Sequence, residues 1–169
     1  MHSSWTAVLM AVACLVPAPA AVRAQGADAP VLVVGGAVPT PLSLSAADLA
    51  AFPRTTVTVE EAGLGVSYTG VLVRDLLERA GAPVGEGLRG ENLSLVVLAH
   101  ARDGYRVALA IAELDPDFSG RDVIVADRAN GQLLLDHQGP LRLVVPGDRR
   151  PARRVRMLDR LEVVRIAGK

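Results

Sequence analysis

At 169 residues the chain has room for one domain with its own core, not two. Half of its residues are apolar and 21% are charged, a globular balance that excludes a disordered chain. Eighteen basic residues stand against eighteen acidic ones, so bulk charge offers nothing to nucleic acid. After the N-terminus no run approaches the ~20 apolar residues that span a bilayer.

Residues 1–24 read as a signal peptide. An apolar stretch over residues 5–16 is broken by Pro17 and Pro19, and Val22-Arg23-Ala24 places small residues around a cleavage point near Ala24. The expected location is therefore the periplasm. Cys14 is the only cysteine, so cleavage leaves a mature chain with no disulfide, thiolate ligand or cysteine nucleophile. Residues 25–30 form a short polar lead-in, and residues 31–169 are expected to make the single domain.

Residues 31–34 are β-rich and close on Gly35-Gly36, a strand and turn. Ser45-Ala46-Ala47-Asp48 has the form of a capping box, opening a short helix that Pro53 stops. Residues 55–60 alternate Thr and Glu with Val57 and Val59, as a half-buried strand does. The clearest helix covers residues 72–80. Leu72, Val73, Leu76, Leu77 and Ala80 share one face, and Gly81 and Pro83 end the helix.

A glycine-rich loop over 84–90 leads to an apolar central strand at 93–99. Asp103-Gly104 turns that strand into another at 105–109. A helical turn at 110–114, a strand at 122–126, the Asn130-Gly131 turn and an extended piece at 133–135 follow. A buried strand at 141–145 ends at Pro146-Gly147, and residues 158–166 form the last strand. Strands outnumber helices and follow one another through tight turns. The fold class expected is α+β, with a mixed β-sheet and short helices.

The chain lacks a Gly-x-Ser-x-Gly elbow, a phosphate-binding Walker loop, a dinucleotide glycine fingerprint and a zinc-protease helix. His100 and His137 have no ligand-type spacing, so no metal site built from protein side chains is expected. Two features point to an anion instead. Six arginines crowd residues 148–160, with Asp148 and Asp159 the only acids among them. Arg142 interrupts a strongly apolar strand, where a guanidinium needs an anionic or carbonyl partner. His137 and Arg142 flank a Gly-Pro turn and can face one pocket, which Arg156 would complete as a three-point grip on a phosphate-bearing ligand. Two readings stay open for Arg142: a ligand contact, or an internal ion pair with His137 as a surface turn residue.

The run from Asn130-Gly131 through Asp136-His137, Pro140-Leu141-Arg142, the valine strand and Pro146-Gly147 to Val155-Arg156-Met157-Leu158 resembles the molybdopterin-binding domain of sulfite oxidase-type oxidoreductases. Tyr68-Thr69-Gly70-Val71-Leu72 and Asp103-Gly104-Tyr105 are similar to that family's helix start and Asp-Gly-Tyr turn. The likeness extends over residues 31–166. It implies a sulfite oxidase-like fold and a molybdopterin cofactor, with His137, Arg142 and Arg156 as its pterin-contacting positions. It also implies Tyr105 or Arg102 near a substrate. The family's molybdenum-binding cysteine has no counterpart over residues 55–66. Glu60 and Glu61 lie nearby, but a carboxylate is a harder ligand than a thiolate.

No catalytic residue is assigned. Three functions stand: a domain binding a pterin-type or other small anionic ligand without redox activity, a molybdopterin-dependent oxidoreductase or subunit with an altered metal shell, and a non-catalytic module docking on a periplasmic protein partner.

Overall fold

The computed structural model describes residues 29–135 and 137–166. The proposed signal peptide, Cys14 and Asp136 lie outside the described residues. Two five-stranded sheets carry the fold. The first has the order β2-β1-β10-β5-β6, built from β1 (Pro30–Gly36), β2 (Leu42–Ser45), β5 (Leu95–Ala101), β6 (Arg106–Ala110) and β10 (Leu158–Arg165). Its β1–β10 pair is parallel and the others antiparallel, so the sheet is mixed as expected.

The second sheet runs β3-β4-β7-β8, with β9 also on β7. Its strands are β3 (Thr55–Glu61), β4 (Leu64–Leu72), β7 (Ile124–Ala129), β8 (Gln132–Leu133) and β9 (Arg142–Val144). Antiparallel partners need only short turns. Here Ala62-Gly63 and Asn130-Gly131, all at positive φ, join β3 to β4 and β7 to β8. Two consecutive positive φ values are the geometry whose twist matches paired strands.

Helices are few and short: α1 (Ala46–Ala50), α2 (Val73–Arg79) and α3 (Pro116–Ser119). The capping box forms as expected. The Ser45 hydroxyl accepts from the Asp48 amide, and the Asp48 carboxylate accepts from the Ser45 amide at 2.9 Å. In α2 the expected face holds at Val73, Leu76, Leu77 and Ala80, all buried. Leu72 instead ends β4, and the Val73 amide, which lacks a helical partner, donates to the Val123 carbonyl at 2.9 Å.

The strand β4 was not expected from the sequence pattern. Gly65, Ser67, Thr69 and Gly70 break the apolar alternation along it, yet it lies between β3 and β7. Gly70 is required by close approach: a Cβ there would lie 2.1 Å from the Val125 carbonyl oxygen. Strands expected at 93–99 and 122–126 are each shifted toward the C-terminus by about two residues.

Alternation along the second sheet gives its two faces different jobs. Val71, Val125, Leu141, Leu143 and Val145 join the main core with α2 and the first sheet. Val57, Val59, Tyr68, Ile124, Ala126 and Val144 form a second, smaller cluster on the other face. By the two-residue period of a strand, Glu61 shares that second face with Val57 and Val59, and Arg142 shares it with Val144.

Candidate functional site

Register brings these two charged residues together. Val57 pairs with Tyr68 across β3–β4, and Gly70 and Arg142 both pair with Ala126, from opposite sides of β7. Tyr68 therefore stands between Glu61 at the tip of β3 and Arg142 at the start of β9. The Arg142 Nη2 donates to Glu61 Oε1 at 2.7 Å and its Nη1 to the Tyr68 hydroxyl at 2.5 Å. The Tyr68 hydroxyl in turn donates to Glu61 Oε2 at 3.2 Å. The guanidinium carbon lies 5.0 Å from the centroid of the Tyr68 ring, a cation–π distance.

Arg154 enters the same cluster from the basic segment. Its Nη1 donates to the Glu60 carbonyl at 3.0 Å and to Glu61 Oε1 at 3.4 Å. Arg142 is only 6% exposed and Arg154 only 8%, so both guanidinium groups are withdrawn from water. Glu61 serves two buried cations, and the buried Nε of each has no hydrogen-bond partner among the described residues. Burial pushes the Tyr68 phenol above its ordinary pKa, against the opposing pull of Arg142. Tyr68 thus stays protonated at neutral pH and can donate to Glu61 while accepting from Arg142.

Glu61, Arg142 and Arg154 line a cleft of about 600 Å³. The volume lies in the range of small-molecule sites. Its walls come from four places: the β3–β4 turn, the β5–β6 turn with Asp103 and Tyr105, the stretch from Gln138 to Arg142, and residues 149–156. Tyr105 bridges two of them, its hydroxyl donating to the Ala152 carbonyl at 2.7 Å. Among the described residues four arginines line the cleft against three carboxylates, Glu60, Glu61 and Asp103, an excess of one positive charge.

The residues expected from sequence divide as follows. Arg142 and Arg156 line the cleft, Arg142 buried and Arg156 exposed. Of the two readings of Arg142 the internal ion pair is present, with Glu61, and the residue also lines the cleft. His137 is an exposed turn residue beside Gln138; Gln138 lines the cleft and His137 does not. Tyr105 stands at the rim, whereas Arg102 lies at a separate hollow with Pro30, Asp159 and Arg160. Sequence reading missed Arg154 and Tyr68 as members. It weighed Glu61 only as a metal ligand, not as the counter-ion of two arginines.

Arg153, beside Arg154 in the basic segment, is held differently. The Arg153 Nε and Nη2 grip both oxygens of Asp148 at 2.8 and 2.7 Å, and its Nη1 reaches Glu113 at 2.5 Å. Arg121 approaches the same two acids at 3.5 and 3.7 Å. The hydrogen bonds that Arg153 donates hold the Asp148 carboxyl below the usual carboxylate range, and their acceptance by Asp148 and then Glu113 raises Arg153. This network closes the loop that presents Arg149 and Arg154.

Comparison with known proteins agrees with the resemblance in the sequence. The family model described as oxidoreductase molybdopterin-binding domain matches residues 60–167. Among solved structures 26 chains match. One is the sulfane dehydrogenase SoxCD of Paracoccus pantotrophus, at 26% identity and a TM-score of 0.61, over 78% of this chain and 37% of that one. The chain thus spans little more than a third of that relative's length. No curated protein sequence matches it.

The residues present fit one part of the cofactor this family implies. A cleft lined by four arginines, Arg142 and Arg154 buried and Arg149 and Arg156 exposed, suits an anionic, phosphate-bearing organic ligand. The metal is another matter. Residues 60–167 contain no cysteine, and the Glu61 carboxylate is already engaged by Arg142, Arg154 and Tyr68. A thiolate bond from this segment to molybdenum is therefore ruled out by composition.

Proposed function

The chain belongs to the oxidoreductase molybdopterin-binding domain family, and from that premise we propose that its cleft binds a pterin-type or similar small anionic ligand without carrying out redox chemistry on it. The observation that carries this reading is the buried pair Arg142 and Arg154 sharing the single carboxylate of Glu61. Charge is not retained in a low-dielectric setting with a deficit of partners unless something else supplies the balance.

In this reading Arg142 and Arg154 bind the ligand's anionic group from below. Arg149 and Arg156, both exposed, attract it from the rim. Tyr68 fixes the plane of the Arg142 guanidinium, so that the arginine itself need not reorient on binding. Tyr105, pinned to the Ala152 carbonyl, narrows the entrance with its ring. His137 stays outside this grip, in the turn next to Gln138.

When bound with its metal, the family's cofactor supplies electron transfer at molybdenum. A thiolate donor tunes such a centre, and this domain's matched segment offers none. For that reason binding is assigned here and oxidation is not. Export to the periplasm through residues 1–24 belongs to the same proposal, and it places the binding step outside the cytoplasm.

Thermal unfolding with and without a pterin phosphate tests the reading. Binding to the native state raises the midpoint in proportion to ligand occupancy. A concentration-dependent rise in the wild type, diminished in Arg156→Ala, is expected. A midpoint that ignores the pterin phosphate at millimolar concentration sinks the proposal.

A further inference from the structure

A carboxylate placed on two arginines occupies the same N–H groups that an incoming oxyanion needs. Glu61 Oε1 sits 2.7 Å from the Arg142 Nη2 and 3.4 Å from the Arg154 Nη1. Its side chain is 28% exposed, against 7% and 5% for the two arginines. Glu61 is thus the member of the ion cluster that reaches into the cleft, and the arginines lie behind it. It also stands at the last position of β3, directly before the two-residue Ala62-Gly63 turn.

We infer that Glu61 is a built-in counter-anion that determines how much negative charge the cleft accepts: a ligand's oxyanion reaches Arg142 and Arg154 by displacing Glu61 from them. The inference rests on the anion-binding reading above and deepens it. Without ligand, Glu61 keeps the two buried guanidinium groups paired and the empty cleft stable. With ligand, the displaced carboxylate turns to solvent through its exposed side, and the cost of moving it is subtracted from the affinity. Once displaced, Glu61 adds to the repulsion from Glu60 and Asp103, which also line the cleft. A ligand presenting a single anionic group is tolerated, while one presenting several in a row is resisted. Specificity for charge then comes from the carboxylate rather than from the arginines.

The Glu61→Gln variant of the full chain, titrated calorimetrically with inorganic phosphate and with pyrophosphate, tests this directly. The amide keeps the shape and removes the charge. Phosphate is expected to bind the variant at least about tenfold more tightly than the wild type, and pyrophosphate to gain more than phosphate does. The variant's thermal midpoint falls in phosphate-free buffer and recovers toward the wild-type value at saturating phosphate. If the variant does not fold without an anion, refolding in phosphate supports the inference, and failure to refold there overturns it. Unchanged or weaker phosphate binding by a folded Glu61→Gln also overturns it. In that case, phosphate binding by the wild type leaves the anion-binding reading standing, whereas no binding by either protein removes both.

Discussion

Two arginine networks lie a few residues apart in the basic segment, and they are built on opposite plans. Around Arg153 the charges balance: Arg153 and Arg121 face Asp148 and Glu113, with every member partly open to water. Around Arg154 they do not balance: among the described residues Arg154 and Arg142 share one paired carboxylate, Glu61, and both arginines are buried. The first network closes a loop and leaves no charge over. The second keeps a positive charge under a cleft. Adjacent residues of identical type are thus held on different plans according to burial and partner count, neither of which is written in residue identity, and the proposed binding role falls to the buried one.

The contrast can be broken most forcefully at Arg142. Replacing it with Ala removes the partner of Glu61 and Tyr68 and leaves their polar atoms half-served in a buried place. A loss of about 3–5 kcal/mol in urea unfolding is expected, together with loss of anion binding. A cost below about 1 kcal/mol would mean that the cluster is effectively solvated and that burial does not separate the two networks.

Tyr68→Phe probes the same cluster more gently. Among the described residues the phenol is the one neutral group bridging Arg142 and Glu61, and its removal leaves the Arg142 Nη1 with Gln138 at 3.4 Å. A stability loss of about 1–3 kcal/mol is expected, with anion affinity lowered because the guanidinium is no longer held in plane. Full-strength phosphate binding in this variant would show that Tyr68 does not position Arg142.

In the balanced network the expected effect is smaller and depends on pH. The Asp148 carboxyl titrates lower in the folded chain than in the unfolded one, because Arg153 holds its ionised form. Its contribution is fully present above the unfolded value, near pH 4, and is lost as pH falls through the lower folded value. Asp148→Asn should therefore cost about 1 kcal/mol at neutral pH and flatten the acid limb of the stability profile. An acid limb parallel to that of the wild type would show that the ion pair adds nothing to the loop.

The smallest effect on stability is expected at the rim. Arg156 is exposed, so Arg156→Ala should change unfolding by less than about 0.5 kcal/mol while weakening phosphate binding and its dependence on salt. Binding that is insensitive to this change would confine the site to the buried pair.

Much of the fold was legible because local chemistry and period agreed. Ser45 with Asp48 announced a capped helix, Asn130-Gly131 a tight turn, and the run from Leu141 to Val145 a buried strand. The strand β4 escaped because its small residues answer to neighbours rather than to a pattern: Gly70 is set by the Val125 carbonyl more than fifty residues away. The site was legible by half. Arg142 betrayed itself as a charge in an apolar strand, a local anomaly. Its partners did not, since Glu61 and Tyr68 lie 81 and 74 residues before it and meet it only through strand register. Arg154 could not be told from Arg153 or Arg156, because burial alone distinguishes it.

The measurement that bears most directly on the central claim is the molybdenum and pterin content of the protein purified from its native host. Pterin fluorescence without stoichiometric molybdenum is the predicted result, the organic ligand being held by arginines and no thiolate being supplied by the domain. One molybdenum per chain, or a chain that carries no pterin-type or other anionic ligand at all, would contradict the account.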